Sequence, residues 1–126
     1  MKIYYLTMSI IASSQENTNY EYSFKIIFLG DAGVGKSCLI NRGIKNTFNE
    51  YYENTVSFEY LNKILQINNK GIKLQIWDTC GQEIFSSLVV NFYRNCDLAV
   101  LIYSVTSKSS LTNLSKWVDE VKKNVS

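Results

Sequence analysis

The residues with the clearest chemistry form one loop, at positions 30–37. Its sequence, Gly-Asp-Ala-Gly-Val-Gly-Lys-Ser, fits the pattern G-x-x-x-x-G-K-[ST] of loops that bind the phosphates of a nucleoside triphosphate. Its glycines let the backbone approach a phosphate, and successive N–H groups then form a nest for an anion. The Lys36 ammonium group can reach the β- and γ-phosphates, and the Ser37 hydroxyl can bind Mg²⁺. The predicted nucleotide-binding residues here are Asp31, Ala32, Gly33, Val34, Gly35, Lys36, Ser37 and Cys38.

The sequence on either side of the loop supports this interpretation. A pattern of eight positions can also arise by chance in an unrelated loop. Here, however, an apolar run at residues 24–29 precedes the loop and is typical of a buried strand. Residues 37–42 can continue from the loop as a helix. Strand, glycine loop and helix in this order are the context that a phosphate-binding loop requires.

A second group of candidate residues lies at the end of another apolar strand. Asp78 follows the run Leu-Gln-Ile-Trp, and the C-terminal edge of an α/β sheet is where ligands collect. The Asp78 carboxylate is therefore a candidate ligand for Mg²⁺. Just beyond it, Gly81 can donate its N–H to a γ-phosphate, and Gln82 can orient an attacking water. Together the two groups predict hydrolysis of a nucleoside triphosphate.

The remaining pattern predicts the elements that hold these residues. Residues 56–67 and 72–78 are expected to be strands joined as a hairpin through residues 68–71, which are Asn-Asn-Lys-Gly. The continuous apolar run at 98–103 predicts a strand that is buried on both faces.

A last helix is expected after the fourth strand, with Ser107 or Ser109 as its N-cap. Its apolar residues at helical spacing are Leu111, Leu114, Trp117, Val118 and Val121. Residues 80–94 are expected to be an irregular loop that passes into a short helix. The resulting order, β-α-β-β-α-β-α, predicts an α/β fold whose sheet is covered by helices on both faces.

The composition sets limits on the class of protein. A chain of 126 residues with 46% hydrophobic residues is large enough for one globular domain. Its net charge of +2 is too small to indicate a nucleic acid partner. Three cysteines and no histidine, without metal-type spacing, favour reduced thiols in a cytosolic protein.

The first 21 residues are expected to be a flexible leader, and the domain is expected to span residues 22–126. Residues 3–12 loosely resemble the apolar part of a signal peptide, but they contain two tyrosines and polar residues. This run is also too short to span a bilayer. Met8 is an alternative start of the chain.

Several ordered segments of the chain resemble the Rab-type small GTPases of the Ras superfamily. Residues 73–83 are similar to the Rab segment KLQIWDTAGQE at every position except Cys80. The segments 85–88 and 92–94 resemble the switch II helix, and residues 101–106 resemble the Rab segment LVYDIT. The resemblance extends from residue 22 to about residue 123 and implies the phosphate-loop NTPase fold, with a mostly parallel sheet.

The resemblance also implies roles for residues that spacing alone does not single out. Thr55 matches the switch I threonine, which binds Mg²⁺ and contacts the γ-phosphate, and with Gln82 and Lys36 it forms the implied catalytic set. Phe48 matches the aromatic residue that packs against guanine, and Tyr52 matches the tyrosine that closes over the phosphates. Without the resemblance, Phe48 and Tyr52 would be interpreted as anchors of a loop. The implied metal ligands are Ser37, Thr55 and Asp78.

The function implied is that of a GTP-binding switch with Mg²⁺-dependent hydrolysis and a role in vesicle-mediated transport. The implied partners are an exchange factor, an activating protein and effectors that bind switch I and switch II. An ATPase is disfavoured because residues 78–82 are typical of GTPases. Cys80 replaces the usual alanine, Ile84 a basic residue and Ser104 an aspartate.

The family's Asn-Lys-x-Asp motif and its prenylated cysteines do not occur in these 126 residues. We therefore expect a partial G domain without its own membrane anchor, located in the cytoplasm. Residues 98–105 are then expected to leave an apolar strand edge unpaired, which favours aggregation. The alternative interpretation is a truncated remnant or interaction fragment of a small GTPase that does not catalyse hydrolysis.

Overall fold

The computed structural model of the chain describes residues 19–46, 59–78 and 91–125. Residues 91–93 are helical as well. The named elements, in chain order, are β1 (Tyr22–Leu29), α1 (Lys36–Lys45), β2 (Glu59–Ile67), β3 (Lys70–Asp78), β4 (Leu98–Leu101), α2 (Lys108–Thr112) and α3 (Leu114–Asn124). The predicted leader lies almost entirely outside the described residues.

The four described strands form one mixed sheet in the order β2-β3-β1-β4. The central strand β1 is parallel to both of its neighbours, with Ile26 paired with Ile76 of β3 and with Leu98 of β4. Strand β2 runs antiparallel to β3. The parallel pairings bring the C-terminal ends of β1, β3 and β4 to one edge of the sheet. The mostly parallel α/β sheet predicted from the sequence is confirmed.

The hairpin between β2 and β3 is present but tighter than predicted. Strand β3 begins at Lys70, so the turn consists of Asn68 and Asn69 instead of the four residues expected. Both asparagines have positive φ angles, 50° and 63°, as a two-residue type I′ turn requires. Asparagine tolerates this left-handed conformation better than most residues, which explains why Asn-Asn suffices here.

Helices cover both faces of the sheet, as the sequence predicted. On one face, Trp117 of α3 packs in a cluster with Ile27 and Leu29 of β1 and with Phe92 and Tyr93. Side chains alternate along a strand, so Ile76 and Asp78 of β3 face away from this cluster. Helix α1 lies on their side, because the Ser37 hydroxyl of α1 donates a hydrogen bond to Asp78.

The prediction that residues 98–103 form a strand buried on both faces is wrong. Strand β4 ends at Leu101, and it lies at the edge of the described sheet, paired with β1 alone. Leu98 is 52% exposed, and Val105 beyond the strand is 89% exposed. An edge strand has a neighbouring strand on one side only, so its side chains lack the packing that a second neighbouring strand would give and stay partly exposed. The expected unpaired edge is therefore present in the described sheet, whereas aggregation stays a prediction.

The predicted last helix is divided into α2 and α3 at Asn113. Ser107 is the N-cap of α2, because its hydroxyl accepts a hydrogen bond from the Ser110 N–H at 3.3 Å. Trp117 is buried as predicted, but Leu111 is 49% exposed, so the expected apolar face does not extend into α2. The buried residue of α2 is Ser110.

Candidate functional site

The phosphate-binding loop connects the end of β1 to the start of α1. Gly30 has φ +150°, and a Cβ at this position would overlap the carbonyl group of Ile102. Gly33 and Gly35 also have positive φ angles, 75° and 99°. At Gly35, by contrast, no heavy atom from beyond the neighbouring backbone lies within 4 Å of the place a Cβ would take. The loop therefore presents bare backbone to open space at Gly35, which is the cradle that a phosphate group needs.

Lys36 is buried at the first position of α1, with 5% of its surface exposed. Its ammonium group donates hydrogen bonds to the carbonyl oxygens of Gly30 and Asp31, both at 2.8 Å. The side chain therefore folds back along the loop, and its positive charge is held beside the backbone that would surround a phosphate. The binding of phosphate by Lys36 stays a prediction, and the position of its ammonium group at the loop is compatible with it.

The Ser37 hydroxyl in the first turn of α1 donates a hydrogen bond to the carboxylate of Asp78 at the end of β3. Asp78 is 2% exposed. These two predicted Mg²⁺ ligands, 41 positions apart in the sequence, are in direct contact. Magnesium is commonly held by one or two protein oxygens together with phosphates and waters, so this pair fits the ion. In the described residues, no group of three or more acidic, cysteine or histidine side chains forms a separate metal site.

Asp31 makes side-chain contacts that the sequence did not predict. Its carboxylate accepts hydrogen bonds from the Asn113 amide at 2.7 Å and from the Trp117 indole N–H at 3.0 Å. Burial acts to raise the pKa of Asp31, but these hydrogen bonds and the nearby charges of Lys36 and Lys116 outweigh it and lower the pKa. The Asp31 carboxylate thus points to α3. The predicted contact of Asp31 with the nucleotide would therefore be made by its backbone. The helical spacing of apolar residues predicted that Trp117 is buried, but nothing in the sequence indicated its contact with Asp31.

The structure also describes the other predicted loop residues, and their contacts with a nucleotide stay predictions. Ala32 and Gly33 are exposed, Val34 is half-buried, and Cys38 is a half-buried free thiol in α1. The remaining predicted site residues lie outside the described residues, and their roles stay predictions; they are Phe48, Tyr52, Thr55, Gly81 and Gln82.

A cleft on the face of the sheet opposite to α1 is lined by Lys25, Trp77 and Asp97, among others. The Lys25 ammonium group donates to the carbonyl oxygens of Asn91 at 3.0 Å and Arg94 at 2.8 Å. It also lies 4.7 Å from the centre of the Trp77 ring, and burial lowers its pKa. These contacts satisfy the last carbonyls of a helical segment, so we assign Lys25 a structural role.

The α/β sheet, the glycine loop, the buried lysine and the Ser37–Asp78 pair define a protein of the phosphate-loop nucleotide-binding class. Residues 25–126 match the Ras family, and the chain belongs to that family. It is therefore a small GTPase of the Ras superfamily, whose members bind guanine nucleotides, hydrolyse GTP and interact with regulators or effectors. Within the part of the chain that the structure describes, no helix has both the length and the hydropathy to cross a bilayer.

Proposed function

We propose that this protein is a Rab-like GTP switch that acts in vesicle-mediated transport and hydrolyses GTP with the help of Mg²⁺. The observation that carries the proposal is the geometry around the loop, where Lys36 and the Ser37–Asp78 pair meet at one edge of the sheet. The Rab assignment is supported by residues 73–83, which differ from the Rab segment at Cys80 alone.

In the proposed mechanism, the loop and Lys36 bind the triphosphate. Gly33 and Gly35 allow the backbone N–H groups to approach the phosphate oxygens, and the Lys36 ammonium group exchanges carbonyl partners for the β- and γ-phosphates. Ser37 and Asp78 would hold Mg²⁺, which neutralises charge on the phosphates when it is bound. Phe48 would pack against guanine and Tyr52 over the phosphates.

Hydrolysis requires a water in line with the bond to the γ-phosphate. We assign Gln82 to orient this water, while Lys36 stabilises negative charge on the phosphates. Thr55 and Gly81 would contact the γ-phosphate, so that both switch segments relax when it leaves. This relaxation is the signal that effectors at switch I and switch II would read.

Intrinsic turnover is expected to be slow. The two arginines of the sequence, Arg42 and Arg94, are both exposed, and neither lies near the Ser37–Asp78 pair: Arg42 is in the last turn of α1 and Arg94 borders the cleft on the opposite face. Without an arginine finger of its own, a small GTPase depends on an activating protein for fast hydrolysis. We place this cycle in the cytoplasm, with an exchange factor that reloads GTP.

Gln82→Leu is the variant that tests the proposed function. We expect its GTP hydrolysis rate to fall by about 100-fold, because leucine cannot hydrogen-bond to the attacking water. Its affinity for GTP should stay within about twofold, since Gln82 is not assigned to hold the nucleotide. Single-turnover phosphate release and a binding titration measure the two quantities.

The matched control is Gln66→Leu, because Gln66 is exposed on β2, away from the loop. This control should hydrolyse GTP at the wild-type rate. Wild-type turnover by Gln82→Leu would show that the proposed mechanism is wrong.

A further inference from the structure

The carboxylate of Asp31 connects the phosphate-binding loop by hydrogen bonds to α3, which lies on the face of the sheet opposite to α1. Asp31, directly after Gly30, accepts one hydrogen bond from Asn113 and one from Trp117, residues 82 and 86 positions away in the sequence. We call Asp31, Asn113 and Trp117 the α3 clamp. Asn113 is the residue at which α2 ends and α3 begins, and Trp117 lies in the first turn of α3.

The far end of the clamp is buried in the core. Trp117 is 8% exposed and packs against the buried residues of β1, Ile27 and Leu29. Its indole N–H therefore stands in a fixed place relative to the strand that leads into the loop. An anchor of this kind restrains the residue that bonds to it.

The near end of the clamp reaches the phosphate-binding group itself. The carbonyl oxygen of Asp31 accepts a hydrogen bond from the Lys36 ammonium group at 2.8 Å. One residue thus bonds α3 with its side chain and Lys36 with its backbone. The loop between these contacts contains Gly33 and Gly35, and glycine has a large conformational freedom that binding a phosphate would have to remove.

We propose that Asp31 is a positioning residue, which holds the loop and Lys36 in the phosphate-binding arrangement by anchoring them to α3. Asp31 acts through the loop backbone and not through its own contact with the nucleotide. The clamp reduces the entropy that phosphate binding costs, and it slows the opening of the loop through which the nucleotide leaves. The nucleotide-dependent part of this inference rests on the proposed function.

Three variants and a control separate positioning from general stability. Asp31→Ala removes both clamp bonds, while Trp117→Phe removes the indole donor and keeps an aromatic ring in the core. The double variant tests whether the two changes act through one contact. Asp119→Asn is the control, since it also removes a carboxylate but lies exposed on α3.

The first measurement needs no nucleotide. Hydrogen exchange of the backbone amides of residues 33–37, followed by NMR in the free protein, is expected to be about tenfold faster in Asp31→Ala and about threefold faster in Trp117→Phe. The double variant should match Asp31→Ala within about twofold. Amides of β1 and β3 should exchange at wild-type rates. Protection of the Trp117 indole N–H in the wild type, and its loss in Asp31→Ala, would show the contact in solution.

The second measurement is the rate at which fluorescently labelled GDP dissociates. We expect this rate to rise about tenfold in Asp31→Ala, about threefold in Trp117→Phe and not at all in Asp119→Asn. The proposal is wrong if the amides of residues 33–37 exchange at the wild-type rate in Asp31→Ala, or if the exchange of the β1 and β3 amides rises equally. It is also wrong if the rate increases of the two single variants multiply in the double variant. If the wild type binds no GDP while loop exchange changes as expected, the clamp stands and the proposed function fails.

Discussion

Replacing Lys36 by methionine is expected to weaken GTP binding by about 100-fold or more, which corresponds to roughly 3 kcal/mol. Methionine fills much of the space of the lysine stem but removes the charge. Lys36 is 5% exposed, and its ammonium group is held at 2.8 Å from two carbonyl oxygens of the loop. A charge in such a sheltered place attracts phosphate more strongly than a charge in water does.

A titration with fluorescently labelled GTP in the presence of Mg²⁺ measures this effect. Lys45→Met is the matched control, because Lys45 lies in the same helix but is exposed in its last turn. Its GTP affinity should equal that of the wild type, and thermal unfolding should show that both variants are folded. A Lys36→Met protein that binds GTP within about threefold of the wild type would remove Lys36 from the site.

Replacing Asp78 by asparagine is expected to abolish the dependence of GTP binding on Mg²⁺. Asparagine has the shape of aspartate but no charge, and magnesium prefers carboxylate oxygens. Asp78 is 2% exposed and in contact with the Ser37 hydroxyl, so its charge lies in a sheltered place beside the other proposed Mg²⁺ ligand. We expect the affinity in millimolar Mg²⁺ to fall by about tenfold or more.

The measurement compares GTP affinity with Mg²⁺ and with a chelator, for the wild type, Asp78→Asn and the exposed control Asp119→Asn. The wild type and the control should lose affinity when the ion is removed, whereas Asp78→Asn should be weak in both conditions. If Asp78→Asn responds to Mg²⁺ like the wild type, Asp78 is not part of the metal site.

The parts of the fold that local sequence specifies were predictable. The glycine spacing specified the loop, and the apolar run that ends in Asp78 specified the strand that brings this carboxylate to Ser37. The parallel pairing of β1 and β3 agrees with the mostly parallel sheet that the resemblance implied, and the chain reaches β3 from β1 through α1 and the hairpin of β2 and β3.

Features that depend on contacts distant in the sequence were not predictable. The exposure of Leu98 depends on how many neighbours β4 has, which its own apolar sequence does not reveal. The contact between Asp31 and Trp117 joins positions 86 apart, and neither residue type signals it. The residue types Asn and Gly predicted a turn between β2 and β3. Its length of two residues depends on the pairing of Ile67 with Lys70, which those residue types do not reveal.

The central claim is that this chain binds guanine nucleotide through the loop at residues 30–37. Displacement of fluorescently labelled GTP from the protein, with Mg²⁺ present, by unlabelled GTP and by ATP is the most direct test. We predict saturable binding with one site per chain and displacement by GTP at lower concentrations than by ATP. Lys36→Met should show no saturable binding over the same range. Absence of saturable binding to the wild type, equal or better displacement by ATP, or binding that Lys36→Met leaves unchanged would contradict the claim.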